Sequence, residues 1–252
     1  MTYSIDLNCD MGESFGAYII GQDEALMEYV SSVNVACGFH GGDPAVMRRT
    51  VELAVHRNIA IGAHPGYPDL QGFGRREMKV SPQEAYDMVL YQIGALSAFV
   101  HAAGARLHHV KPHGALYNAA AKDAALASAI ARAVKDAGND LVFVGLSGSV
   151  MISEASRLGL KTASEVFADR SYQDDGTLTP RSAPGAMIHD PEQAARQVLR
   201  MVQHKAVTSV SGKDIPVVAE TVCIHGDGTA ALSFARAIVH LLQQHHVGIK
   251  TT

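Results

Sequence analysis

The chain has 252 residues, 47% of them hydrophobic, and a formal net charge of −4, which suits one sizeable core and excludes a disordered protein. A mildly acidic balance without a basic stripe argues against nucleic acid as a partner, and no apolar run reaches the ~18–20 residues of a membrane span. Cys9, Cys37 and Cys223 are an odd set without CxxC spacing, so neither a disulfide framework nor a zinc ribbon is indicated, and they are expected to pack as small hydrophobes.

The start, MTYSIDLNCDMGE, lacks the basic and apolar regions of a signal peptide, so a cytoplasmic location is expected. Strands are expected at 3–9, 33–37, 59–63, 107–111, 141–145, 161–166 and 220–225. Asp43-Pro44 opens a helix with an N-cap and a proline at the first helical position. Ser81-Pro82-Gln83-Glu84 is a capping box, opening a helix that runs to about Ala103 and stops at Gly104. Further helices are expected over 123–137 and 149–158, after Asp190-Pro191, and over 229–246.

Alternating strand and helix predicts an α/β fold of parallel strands with crossover helices. Seven such units without a linker fit a single-domain TIM-like (β/α)7 barrel over residues 1–252 better than two domains; a doubly wound open sheet is the alternative. Either architecture places the working residues beyond the carboxyl ends of the strands.

Those ends are rich in ionisable residues. The first delivers Asp6, Asn8 and Asp10, two apart and so on one face of an extended chain, followed by Glu13. Later ends deliver His40, then His64, then His109, Lys111 and His113 with shared parity, then Glu165 with Asp169 and Arg170, and last His225 with Asp227. Polar groups at the ends of separate parallel strands are costly to bury unless they meet ligands or one another. Blander roles compete at several positions. Asp43 reads as a helix cap, Asp6 as a hydrogen-bonded strand residue, His108 or His109 as a core histidine, and His101, His204, His240, His245 and His246 as surface residues.

Spacing excludes several chemistries. GxxxxGK[ST], GxSxG, HExxH and a dinucleotide fingerprint are all absent. Asp10, His40 and His64 are of types that suit a divalent metal, but no tight spacing supports it, so the metal question stays open. The connections over 66–76 and 169–185 are long, glycine-rich and carry arginines suited to clamping carboxylate or phosphate.

The blocks DLNCDMGESFG, NVACGFHGGDP, GAHPGYPDLQGFGRR, VKPHGALYN, EVFADRSYQDDGTL and CIHGD together resemble the LamB/YcsF family, with Gly41 where Ala is expected. The resemblance implies a seven-stranded barrel similar to the glycoside hydrolase and deacetylase superfamily. It implies the A component of an ATP-dependent 5-oxoprolinase, with ATP as co-substrate, a small lactam as substrate, and B and C subunits as partners.

Opening so poor an electrophile as a five-membered lactam calls for a cation at phosphate and oxyanion, a base for water and a clamp for the substrate carboxylate. The expected roles are Lys111 with His113 for the first, Asp10 or Asp227 for the second, and Arg75 or Arg170 for the third. His64, with His40 and His225, would orient substrate or move protons, and Asn8, Glu13 and Glu165 would complete the binding set. Lys111 has a competing structural role, neutralising Glu165 or Asp10. Two other readings are a metal-dependent deacetylase or amidohydrolase without ATP, and a non-catalytic lactam-binding subunit.

Overall fold

In the computed structural model, which describes residues 3–226, 228 and 230–252, strands and helices alternate along the chain. The elements are β1 (Ser4–Met11), α1 (Asp23–Leu26), β2 (Ser32–Ala36), α2 (Pro44–His56), β3 (Ala60–His64), α3 (Pro82–Ala102), β4 (His109–Val110), α4 (Gly114–Ala120) and α5 (Ala124–Ala137). They continue as β5 (Val142–Leu146), α6 (Val150–Arg157), β6 (Lys161–Phe167), α7 (Pro191–His204), β7 (Ala206–Thr208), β8 (Asp214–Pro216), β9 (Thr221–Ile224), α8 (Ala231–Gln244) and β10 (Gly248–Ile249).

Seven parallel strands close in the order β1-β2-β3-β4-β5-β6-β9, with β9 returning to pair with β1. This is the expected closed barrel, not the open sheet. Local signals begin its helices as expected. Asp43 accepts from Ala45 N and Val46 N, Ser81 and Glu84 form the reciprocal box, and Asp190 accepts from Glu192 N. Four short elements were not expected: α1, α4, the antiparallel β7–β8 hairpin, and β10 beside the start of β1. The fourth strand is shorter than expected, although His108 N donates to Ile61 O and Lys111 N to Ala63 O. Pro112 has no N–H with which to extend that ladder.

Strand parity divides the barrel sharply. Leu7, Cys9, Val33, Val35, Ile61, Ala63, Val110 and Val222 are buried in the main hydrophobic core, which the helices share. The opposite parity turns Asp6, Asn8, Asp10, Asn34, His109, Lys111, Glu165 and Thr221 toward one another, and all of them are buried. Apolar residues are a minor part of that set, where Val142, Val144 and Ala163 form a small separate cluster. Buried polar groups are stable only when hydrogen-bonded, and the strand register supplies the partners. Asp10 lies beside Asn34, Asn34 beside Gly62, and Gly62 beside His109. Gly62 is required there, because a Cβ would run into the His109 ring.

Candidate active site

Lys111 is the centre of the polar interior. Its Nζ lies 2.9 Å from Asp10 Oδ1, 2.8 Å from Glu165 Oε1, 3.2 Å from Asn8 Oδ1 and 3.1 Å from Cys223 Sγ. Burial by itself would lower the lysine pKa, but Asp10, Cys223 and Glu165 push it well above the ordinary value, so the group is an ammonium. Burial likewise raises the Asp10 carboxyl, and the His64 ring and the Lys111 ammonium beside it pull it well below the ordinary value. Asn34 steadies this layer by donating to Asn8 Oδ1 at 2.7 Å and Asp10 Oδ1 at 2.8 Å. His109 Nε2 lies 2.7 Å from Asn34 Oδ1 and fixes the Asn34 amide in turn.

Histidines form a second layer. His64 Nε2 is 3.3 Å from Asp10 Oδ2 and 2.9 Å from His113 Nδ1. His40 stacks on His113 with ring centroids 3.7 Å apart, and Glu13 Oε1 is 3.3 Å from His40 Nε2. Burial holds both His40 and His113 well below the ordinary imidazole value, reinforced for each by its histidine neighbours.

A cavity of about 580 Å3 opens above these layers. Asp10, His64, Lys111 and His113 line its floor, and Arg75, Arg170 and His225 line its walls. Asn8 and Glu165 lie under Lys111 rather than in the lining, and Glu13 and His40 lie behind His64 and His113. Asp227 lies outside the described residues. Asp6 sits lower in the barrel, where its carboxylate accepts from Ser31, Ser32 and Thr221 hydroxyls.

Three features were not foreseen from sequence. Asp169 lies 2.9 Å from His225 Nδ1, and Arg181 Nη2 donates to His225 Nε2 at 2.9 Å. Arg donates only, so His225 presents a lone pair at Nε2 and its hydrogen at Nδ1, toward Asp169. Burial raises the Asp169 carboxyl, but the contact with His225 and the Arg181 and Arg170 charges carry it below the ordinary value. Cys223 packs in the hydrophobic core as expected, and its Sγ also accepts from the ammonium. Phe167 forms an apolar wall, with its ring centroid 5.6 Å from Lys111 Nζ and 5.7 Å from that of His225. Strand parity was the available signal for Cys223, which is two residues from both Thr221 and His225. Arg170 is tied by Nη2 to the Thr179 carbonyl, and burial with the nearby Arg181 charge lowers its guanidinium to about 10.

A closed parallel barrel with its ionisable side chains gathered in a cavity at the carboxyl ends of the strands is the architecture of a barrel enzyme. The chain belongs to the LamB/YcsF family, whose model matches residues 5–252. It is 61% identical over 246 residues to the A subunit of 5-oxoprolinase from Tolumonas auensis, covering 98% of each chain. The crystal structure of the lactam utilization protein from Thermus thermophilus matches with a TM-score of 0.94 at 50% identity, covering 99% of this chain and 100% of that one. A T48 deacetylase at 13% identity matches with a TM-score of 0.50, covering 99% of this chain and 88% of that one, a likeness of fold alone. Among the described residues, no helix is long and apolar enough to cross a membrane.

Proposed function

We propose that this chain is the A subunit of an ATP-dependent 5-oxoprolinase, working with B and C subunits to convert 5-oxo-L-proline, ATP and two waters into L-glutamate, ADP and phosphate. The observation that carries this reading, beside the 61% identity to the A subunit of a 5-oxoprolinase, is the Lys111 ammonium at the floor of a cavity walled by guanidiniums and the Asp169–His225 pair. A lactam acid needs each of these parts: an arginine for its carboxylate, a cation for its oxygen and a base for water.

In the proposed sequence the lactam oxygen takes the terminal phosphoryl group of ATP, releasing ADP. Water then adds to the activated ring carbon and gives up a proton to His225 Nε2, once Arg181 Nη2, the donor on that lone pair, turns to the substrate. The C–N bond breaks as the ring nitrogen takes a proton, leaving the amino acid as an acyl phosphate. A second water cleaves that acyl phosphate to glutamate and phosphate. Lys111 stabilises the oxygen charge that grows in the addition step, where oriented donors in a buried site are most effective, while both ring nitrogens of His113 are already engaged, with the Phe73 carbonyl and His64. Arg75 or Arg170 holds the carboxylate, and Phe167 packs against the ring. Asp10 is better suited to holding Lys111 than to accepting a proton, because the ammonium lies 2.9 Å from its Oδ1.

Reconstitution tests this reading. 5-Oxoproline-dependent ATP hydrolysis is measured for the full set of subunits and with each omitted in turn. Turnover is expected from the full set, and little or none from this chain alone, which has no P-loop motif. Steady turnover by the pure chain, or unchanged turnover when it is left out, overturns the proposal.

A further inference from the structure

His64 and His113 face each other in a way their hydrogens do not explain. His64 Nδ1 lies 2.7 Å from the Lys111 carbonyl oxygen, and His113 Nε2 lies 2.8 Å from the Phe73 carbonyl oxygen. A carbonyl only accepts, so each of those nitrogens carries its hydrogen. The two nitrogens left over, His64 Nε2 and His113 Nδ1, are 2.9 Å apart. In neutral rings both are lone pairs, which repel. A positive species must reconcile them, either a shared proton or a metal ion.

The neighbours favour the metal. His40 is 0% exposed, and neither of its ring nitrogens has a hydrogen-bond partner among the described residues. A proton shared between His64 and His113 would leave His40 buried with only the Glu13 Oε1 contact at 3.3 Å, outside hydrogen-bond geometry, which is costly. One ligand atom from each of Glu13, His40, His64 and His113 lies within 4.8 Å of all the others. The backbone keeps this space open by withholding side chains. A Cβ at Gly66 would sit 2.7 Å from His40 Nδ1, and one at Gly74 would sit 2.8 Å from His113 Cδ2. Donation of the far ring N–H to a carbonyl is also the usual outer contact of a metal-ligating histidine.

We propose that Glu13, His40, His64 and His113 form a binding site for one divalent transition-metal ion of the zinc class. Three imidazoles and a carboxylate suit Zn2+ or Co2+ rather than Mg2+ or Ca2+. Tetrahedral ligation at ~2.0–2.1 Å sets nitrogens ~3.3 Å apart, so His64 and His113 separate by a few tenths of an ångström. His40 tilts off its stack on His113 for its lone pair to converge. Asp10, the carboxylate that the strand ends suggest for a metal, is excluded because it already holds Lys111. The cluster of Asp10, Cys223 and His225 is unsuited for the same reason, since the ammonium lies against two of its members. The inference is independent of the 5-oxoproline reading, because its test reads metal and not turnover.

The test titrates the metal-stripped full-length chain with Co2+ and Zn2+, following visible d–d absorption and the metal retained after desalting. One equivalent per chain with an imidazole-ligated cobalt spectrum is expected. His113→Ala and Glu13→Gln should each weaken binding by more than the roughly 10–100-fold that loss of an outer-shell partner costs, while His101→Ala should bind as wild type does. Circular dichroism checks that each variant is folded, and absence of uptake by the wild type is decisive even where a variant is not. No stoichiometric uptake by the wild type means that a proton joins His64 to His113 and overturns the proposal. Uptake that survives Glu13→Gln and His113→Ala but is lost in Cys223→Ser overturns it as well, placing the ion in the other cluster.

Discussion

The Lys111 ammonium and the Glu165 carboxylate are 2.8 Å apart, and both are buried, with exposures of 2% and 0%. Asp10 flanks the same ammonium, so one cation serves two buried carboxylates. The proposed catalytic role and the structural role of Lys111 are therefore not exclusive. Lys111→Met should lower kcat of the assembled enzyme by about 10²–10³. It should also destabilise the chain by about 3–5 kcal/mol at neutral pH, because the carboxylates lose their counter-charge. The stability gap to wild type should narrow in acid as the carboxylates take up protons. Measuring kcat and Tm on one preparation separates the effects. A variant as stable as wild type would refute the structural role, and unchanged turnover would refute the catalytic one.

Asp6 and Asp10 lie on one face of β1 yet should respond to pH in opposite directions. Asp10 is held well below the ordinary carboxylate value, as described above. Its stabilising contribution is therefore full above an unfolded pKa of about 3.9 and is lost as pH falls through the lower folded value. Burial raises Asp6, with the Thr221, Ser31 and Ser32 hydroxyls offsetting it only in part. The folded state takes up that proton first on acidification, so Asp6 costs stability as pH rises through its raised folded value. The loss caused by Asp10→Asn should grow with pH, and that caused by Asp6→Asn should shrink. Urea unfolding across the acid range tests both slopes, and parallel slopes would contradict the assignment.

The Asp169–His225 pair makes a kinetic prediction. Asp169→Asn removes the carboxylate that holds hydrogen on Nδ1, which frees the other tautomer and takes the lone pair from Nε2. The kcat of the assembled enzyme should fall by about 10²–10⁴, the range of a general base, with a smaller change in KM. Arg181→Met should act mainly on KM if that guanidinium contacts substrate. A raised KM with normal kcat in Asp169→Asn would show that His225 only binds.

Gly62→Ala probes the close approach of two strands. The added Cβ meets the His109 ring, which is buried and hydrogen-bonded to Asn34. Overpacking at such a place should cost about 3 kcal/mol, or roughly 6–12 °C in Tm. Melting close to wild type would show that His109 has another place to go.

Much of the architecture was determined by short-range sequence alone. Asp43-Pro44, the Ser81–Glu84 box and Asp190-Pro191 each satisfy orphan N–H groups within one turn, so they start helices whatever surrounds them. Alternation does the same for the first strand: Asp6, Asn8 and Asp10 share a face because extended chain has a period of two. The convergence of Asp10, His64, Lys111 and His113 on one cavity follows from parallel strands ending at one rim, which chain order already implied.

Only the tertiary structure decided what these groups touch. Asp169 meets His225 across 56 positions, and Lys111 meets Cys223 across 112, because β9 closes the barrel between β6 and β1. The stack of His40 on His113 and the separation of Glu13 and His40 from the cavity likewise depend on loops whose course no local pattern encodes. A capping interaction is complete within four residues, whereas each contact in the site requires the register of several strands at once.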